Sequence, residues 1–343
     1  MRAKPYISVI ITAFNRRDYV IDAFNSALNQ DFDRDSYEII FANNFDEAFF
    51  ADYCVRNDIL DIKCSASAMG EMLCCAISAA KGDVLCFLDD DDLFDGKKLS
   101  RVANIFTSDD SLIYYHNDGI YVDAHRNYIR DLNERNLADV AEICLTDETK
   151  DIHYREFLEH VHRFGSSCIS VRKSFLEVFL DKLRLVRISP DIFITLCALI
   201  ASGAICSDSN KLTSYRVSDK QWSNYRKNTT EEGIRLMCLR AADSAYGYGI
   251  LRELAIESGG TEVKRYIVSL LLARQISCAI LDKHGSRKPI ILTWIKFFRH
   301  SGDAGRLKLY LERATVLSFL STVAYLVHPS IARVLFLRLT PTI

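Results

Sequence analysis

Proline is scarce in this chain. Five prolines among 343 residues leave long stretches without an imposed helix break, which favours long helices somewhere in the fold. An excess of charge of one sign is also missing. The 43 basic and 45 acidic side chains sum to −2, so no global attraction to nucleic acid exists and any basic face must be local. The eleven cysteines include no CxxC, are odd in number and mostly have apolar neighbours. That argues against a zinc site or a disulfide framework and reads as small buried hydrophobes in a reducing compartment. The opening MRAKPYISVIITAF has a basic start, but its apolar run is too short for a signal peptide and has no small-residue cleavage site, so a cytoplasmic protein is expected. Internal repeats and low-complexity segments are absent. With 49% apolar and 26% charged residues the chain is neither disordered nor a stapled miniprotein, and its length allows one large domain or two ordinary ones.

What is present is an alternation of strands and helices. Ile7 to Ile11 is a β-branched run entering a loop at Thr12 to Asn15, and Tyr19, Val20, Ala23, Phe24, Ala27 and Leu28 recur at helical spacing. Strands are expected at Tyr37 to Ala42, Val84 to Leu88 and Leu112 to His116, with helices at Met69 to Ala80 and Leu99 to Phe106. Asp118 to Lys150 is polar and loosely patterned. A helix at Ile152 to Phe164, a strand at Ser167 to Val171, a helix at Asp191 to Ala201 and a strand near Lys211 to Arg216 follow. This order predicts an α/β fold with a mostly parallel sheet, whose ligands bind beyond the carboxyl ends of the strands. From Thr230 the pattern becomes helical, to about Tyr246 and from Thr261 to Leu281, interrupted by Gly247, Gly249 and Gly259-Gly260. The expected division is a domain at 1–225, a helical extension at 226–285 and an apolar, basic region at 286–343.

Four carboxylates, Asp89 to Asp92, directly follow the strand ending at Leu88. Such crowding is costly without a cation, and an oxygen-only donor set selects a hard ion such as Mg²⁺ or Mn²⁺, which could bridge a diphosphate. The competing reading is an acidic turn capping the helix that starts near Lys97. A P-loop is excluded, since Gly96-Lys97 is followed by Lys98 and position 91 is Asp, and no GxGxxG follows the first strand.

The ordered segments Ile7 to Arg16, Ala23 to Gln30, Tyr37 to Asn44 and Ala79 to Phe94 together resemble the family 2 glycosyltransferases, inverting enzymes with the nucleotide-sugar-binding GT-A fold. The likeness is dense to about residue 106 and thins to scattered matches by about 222. It implies that Thr12, Ala13 and Phe14 line the nucleobase and ribose pocket, Asp89 contacts the ribose, and Asp91 ligates the metal of the DxD motif. Asp90 and Asp92 would support them. Asn43 stands where the family usually has an Asp that accepts a hydrogen bond from the base, and its amide oxygen can still accept. Leu73-Cys74 replaces an Arg-Asn found near the phosphates in many members, so the metal or another basic residue must neutralise more of the charge.

The inverting reaction needs a carboxylate base for the acceptor hydroxyl. Asp191, in Ser189-Pro190-Asp191 at the family's matching point, is the candidate, although the same residues also make a good helix start. Pro190 replaces the first acid of the family's pair, and Ser218 stands where a His often follows Arg216. Arg216 either faces the diphosphate or is structural; His153, His160 and His162 are structural or face the acceptor.

From Ala314 to Ala332 no formal charge occurs, Arg313 and Arg333 flank the run, and Trp294, Phe297 and Phe298 lie among cations upstream. That composition suits an interfacial helix, a core or dimer helix or, less well, a span. The expectation is therefore a metal-dependent enzyme at the inner face of the cell membrane. It would move one sugar from a nucleotide-diphosphate sugar to a glycan or lipid-linked acceptor, with no nucleic-acid partner and a possible homodimer. The alternative is a weakly active nucleotide-sugar-binding protein of the same fold. Processive synthesis is disfavoured because Gln221-Trp222 is followed by Ser223 and QxxRW is absent, and a nucleotidyltransferase should show a glycine-rich basic loop that Thr12 to Arg17 lacks.

Overall fold

The computed structural model describes residues 5–131, 142–161, 165–217, 231–257 and 261–281. The strands are β1 (Ile7–Ala13), β2 (Tyr37–Asn43), β3 (Ile59–Lys63), β4 (Val84–Asp89), β5 (Leu93–Phe94), β6 (Leu112–Val122), β7 (Tyr128–Asp131), β8 (Glu142–Leu145), β9 (Ile169–Arg172) and β10 (Ala204–Arg216). The helices are α1 (Val20–Leu28), α2 (Ala48–Arg56), α3 (Met69–Ala79), α4 (Lys98–Ser108), α5 (Lys150–Val161), α6 (Lys173–Glu177), α7 (Leu180–Leu183), α8 (Pro190–Ile200), α9 (Glu231–Glu257) and α10 (Thr261–Leu281).

The strands form one sheet in the order β3-β2-β1-β4-β9-β6-β10-β5, with β7 beside β6 and β8 beside β10. Along that path β3, β2, β1, β4, β6 and β10 run one way and β9 and β5 the other, so the sheet is mostly parallel. Val9, Ile10, Ile11, Ile39, Ile40, Phe41 and Leu85 to Leu88 are buried, the continuous apolar pattern of strands covered on both faces. Phe24 of α1 meets Phe41 edge to face at 4.8 Å, and Leu99, Val102 and Phe106 of α4 join the same core.

The chain divides into two compact units, Met1–Ser218 and Asp219–Ile343. In the second, α9 and α10 pack on one another through residues that include Leu251, Ala255, Val263 and Ile267. α9 runs unbroken through Gly247 and Gly249, correcting the expected interruption there. Two glycines weaken a helix by about 1 kcal/mol each, less than burial of an apolar face returns.

Cysteine needs a second correction. Nine cysteines are free, six of them buried, but Cys144 and Cys206 are joined in a disulfide. They face one another as partners in the antiparallel β8–β10 ladder, a pairing hidden by a separation of 62 residues. His162, Gly259-Gly260, Ser218, the segment Gln221 to Ser223 and the apolar run 314–332 lie outside the described residues. No helix among the described residues is long and apolar enough to cross a membrane.

Candidate active site

The register of the parallel strands assembles the site. Ala13 at the end of β1 pairs with Asn43 of β2, and Thr12 pairs with Asp89 of β4, so three of the predicted segments meet at one carboxyl edge. Phe14, just past β1, is 45% exposed and available to a ligand. The loops after β1 and β2 are clasped together: Asn15 N–H donates to Asn44 Oδ1 at 2.8 Å and Asn44 Nδ2 donates to Asn15 Oδ1 at 3.1 Å.

Asp89 to Asp92 turn sharply after β4, Asp92 N–H donating to Asp89 O at 3.2 Å. Asp90, Asp91 and Asp92 are buried. Asp90 and Asp91 share one counterpart, and Asp92 has others. Arg16 binds Asp90 in a fork, Nε to Oδ2 at 2.8 Å and Nη2 to Oδ1 at 2.5 Å, and reaches Asp91 Oδ2 with Nη1 at 2.8 Å. Asp92 accepts from Ser167 Oγ at 2.7 Å and from Arg216 N–H at 3.1 Å, while Ser167 Oγ accepts from Asp89 N–H at 3.0 Å.

Negative charge exceeds what these partners offset. Burial first, and then Asp91, Asp90 and Asp191, push the Asp89 carboxyl up to about 8, with Arg16 opposing them. Asp91 is pushed up to about 6 by burial, with Arg16 acting against it, and Asp90 and Asp92 are raised chiefly by burial as well. Asp191 sits in the first turn of α8 after Pro190, and burial pushes its carboxyl up to about 6. The charge of Asp191 acts on Asp89, which places base candidate and acidic loop in one electrostatic field. Ser189 is the N-cap, but at φ 54° it makes no side-chain capping bond.

Two residues expected to meet the donor are engaged within the protein. Asn43 is fully buried, its Oδ1 accepting from Phe45 N–H at 3.3 Å and Lys63 Nζ at 3.2 Å and its Nδ2 donating to Asp61 at 2.8 Å. Its polar atoms are thus engaged inside the protein. Arg216 is also fully buried: Nε donates to Asp91 O at 2.8 Å, Nη1 to Ala124 O at 2.6 Å and Nη2 to Asp22 Oδ2 at 2.7 Å, with the guanidinium 4.2 Å from the Tyr19 ring centre. It braces the acidic loop from within. Of the histidines, His160 is buried with Nδ1 2.9 Å from Ser207 Oγ, and His153 is exposed beside Glu156.

Arg16, Ser167 and Asp22 were not singled out in the sequence. Arg16 lies within a recognised segment, but its partners are 74 residues away and carry no local signal. As a donor set, the loop offers only carboxylate oxygens, which suit a hard divalent ion, and its excess of negative charge favours one. Among the described residues the one trio of His, Cys, Asp or Glu with ligand atoms all within 4.8 Å is Glu142, Cys144 and Cys206, which contains the disulfide. The acidic loop therefore does not form a closed protein cage, and further ligands would have to come from the diphosphate and water.

A mostly parallel sheet with an acidic loop at the carboxyl edge of β4 fits a glycosyltransferase of the GT-A type. Residues 8–179 match the family described as Glycosyl transferase family 2, and the chain belongs to that family. The fold is similar to that of S. aureus TarS residues 1–349 in complex with UDP-GlcNAc, with 15% identity over 97% of this chain and 88% of that one at a TM-score of 0.54. It is likewise similar to a longer S. aureus TarS structure, with 14% identity over 97% of this chain and 54% of that one at a TM-score of 0.51. At such identities the likeness concerns the fold.

Proposed function

We propose that this glycosyltransferase moves a single sugar, with inversion, from a nucleoside diphosphate sugar to a hydroxyl of a glycan or lipid-linked acceptor. What supports the reading is that the charge of Asp191, a carboxyl raised by burial, acts on Asp89 of the acidic loop.

In this reading Thr12, Ala13 and Phe14 line the base and ribose, and Asp89 holds the ribose. Asn43 supports the floor of that pocket through Lys63 and Asp61. Asp91 is the metal ligand and Asp90 steadies it through Arg16. A bound Mg²⁺ or Mn²⁺ would neutralise the departing nucleoside diphosphate. Asp191 accepts the acceptor's hydroxyl proton as that oxygen attacks the anomeric carbon from the face opposite the diphosphate. A carboxyl at about 6 is mostly ionised at neutral pH and more basic than an ordinary aspartate, which suits a general base. Asp191→Asn tests the assignment: transfer falls by about 10²-fold or more, the usual contribution of a positioned base, with donor affinity unchanged. Near-normal transfer in that variant overturns it.

Residues 286–343 are assigned, on composition, to a membrane interface or a dimer contact, at the inner face of the cell membrane if the acceptor is lipid-linked. Co-sedimentation of the full chain with anionic vesicles supports the first role. A dimer in sedimentation velocity with no vesicle binding supports the second.

A further inference from the structure

Arg16 is engaged with the acidic loop and still partly exposed. Its guanidinium spans neighbouring carboxylates, forked on Asp90 and reaching Asp91 Oδ2 at 2.8 Å. The other arginine that contacts the acidic loop, Arg216 at the end of β10, is fully buried and donates to Asp22 and to two backbone carbonyls, so it cannot follow a ligand. Arg16 instead keeps about a quarter of its side chain exposed (24%) and stands on a loop whose neighbours Phe14, Asn15 and Arg17 are exposed. α3 offers no cation at Leu73 and Cys74, which are apolar and buried.

We infer that Arg16 holds the place of the divalent cation in the donor-free enzyme, and that it yields Asp91 when metal and donor enter, moving onto the donor's diphosphate. The inference rests on the assignment of Asp91 as metal ligand. Asp91 Oδ2 cannot accept from Arg16 and ligate a metal along the same lone pair, so the two cations compete. Once a divalent ion sits on Asp91, the attraction between that carboxylate and Arg16 is offset. The incoming diphosphate then presents anionic oxygens matching the planar fork of the guanidinium. Asp90 keeps its two bonds within reach, so Arg16 acts as a hinge between acidic loop and phosphates. Arg16 is thus a positioning residue in the donor-free state and a diphosphate ligand in the loaded one. Arg16 would supply the charge missing at Leu73-Cys74.

The test is Mn²⁺ binding to the donor-free full chain, followed by electron paramagnetic resonance, for wild type, Arg16→Ala, Arg16→Lys and Asp91→Asn. Arg16→Ala is expected to bind Mn²⁺ about tenfold more tightly than wild type, the factor that corresponds to about 1.4 kcal/mol of lost competition. Arg16→Lys should fall between them, because one ammonium cannot span both carboxylates, and Asp91→Asn should lose the site. With Mn²⁺ present and inorganic pyrophosphate as probe the order reverses, Arg16→Ala binding the probe about tenfold more weakly. A merely structural arginine would not give opposite shifts for the two probes. If Arg16→Ala unfolds, Arg16→Lys decides. Equal Mn²⁺ affinity in wild type and the folded Arg16 variants overturns this inference and leaves the metal assignment standing. Absence of Mn²⁺ binding in all of them overturns both.

Discussion

Asp89 has an ordinary carboxyl value of 3.8 in the unfolded chain and about 8 in the fold, raised first by burial and then by Asp91, Asp90 and Asp191. Between those values the native state holds a proton that the unfolded state has lost, so stability falls as pH rises from about 4 to about 8. Asp91 and Asp191 act in the same direction up to about 6. The metal-free protein should therefore melt at a lower temperature at pH 8 than at pH 5, and millimolar Mn²⁺ should flatten that slope by relieving the repulsion. A metal-free melting temperature that rises steadily over this range contradicts the account. The rate has the opposite sign: Asp191 must be ionised to accept a proton, so kcat should climb through a limb near pH 6. Arg216 makes a different prediction. It is fully buried, so Arg216→Ala should cost about 1–3 kcal/mol in urea unfolding, the penalty for leaving the Asp91 and Ala124 carbonyls without their donor. Unchanged stability with weakened donor binding would return Arg216 to the diphosphate.

Among the elements, α3 and the approach to α8 are locked by a glycine. A Cβ on Gly70 would lie 2.0 Å from Leu183 O and 2.8 Å from Val186 O, while Gly70 N–H donates to Val186 O at 2.9 Å. The chain pinned there continues directly to Ser189, Pro190 and Asp191. Gly70→Ala should destabilise by about 1–3 kcal/mol, as overpacking does, and should reduce transfer by displacing α8. A melting temperature equal to wild type argues against this tight approach. The buried strands β1, β2 and β4 were legible because each is an apolar run entering a polar loop, and the acidic loop was legible as a contiguous cluster. β3 was not: it is partly exposed, mixes Asp61 and Lys63 with Ile59, Leu60 and Ile62, and reads as loop. α2 escaped because AFFADYCVR is aromatic-rich and buries only Phe50 and Cys54. β7 and β8 are four residues each, and both begin or end in charge. In the site, Thr12, Asp89 and Asp191 were proposed from local pattern and likeness. Arg16's ion pairs, the saturation of Asn43 and the burial of Arg216 depend on partners 18 to 194 residues distant in the chain.

At the scale of the whole chain, the −2 net charge conceals carboxylates gathered at one sheet edge. Their mutual repulsion makes the site receptive to a divalent cation and through it to an anionic donor. Only ligands that bind the folded state raise its stability, by about 2.7 kcal/mol at a hundredfold excess over Kd. The most direct measurement is a thermal-shift panel of nucleotide sugars on the full chain, with and without Mn²⁺, in wild type and Asp91→Asn. The account predicts that at least one nucleotide sugar raises the wild-type melting temperature only when Mn²⁺ is present, and that Asp91→Asn abolishes the shift. A shift that persists without metal or in Asp91→Asn, or no shift with any nucleotide sugar, contradicts it.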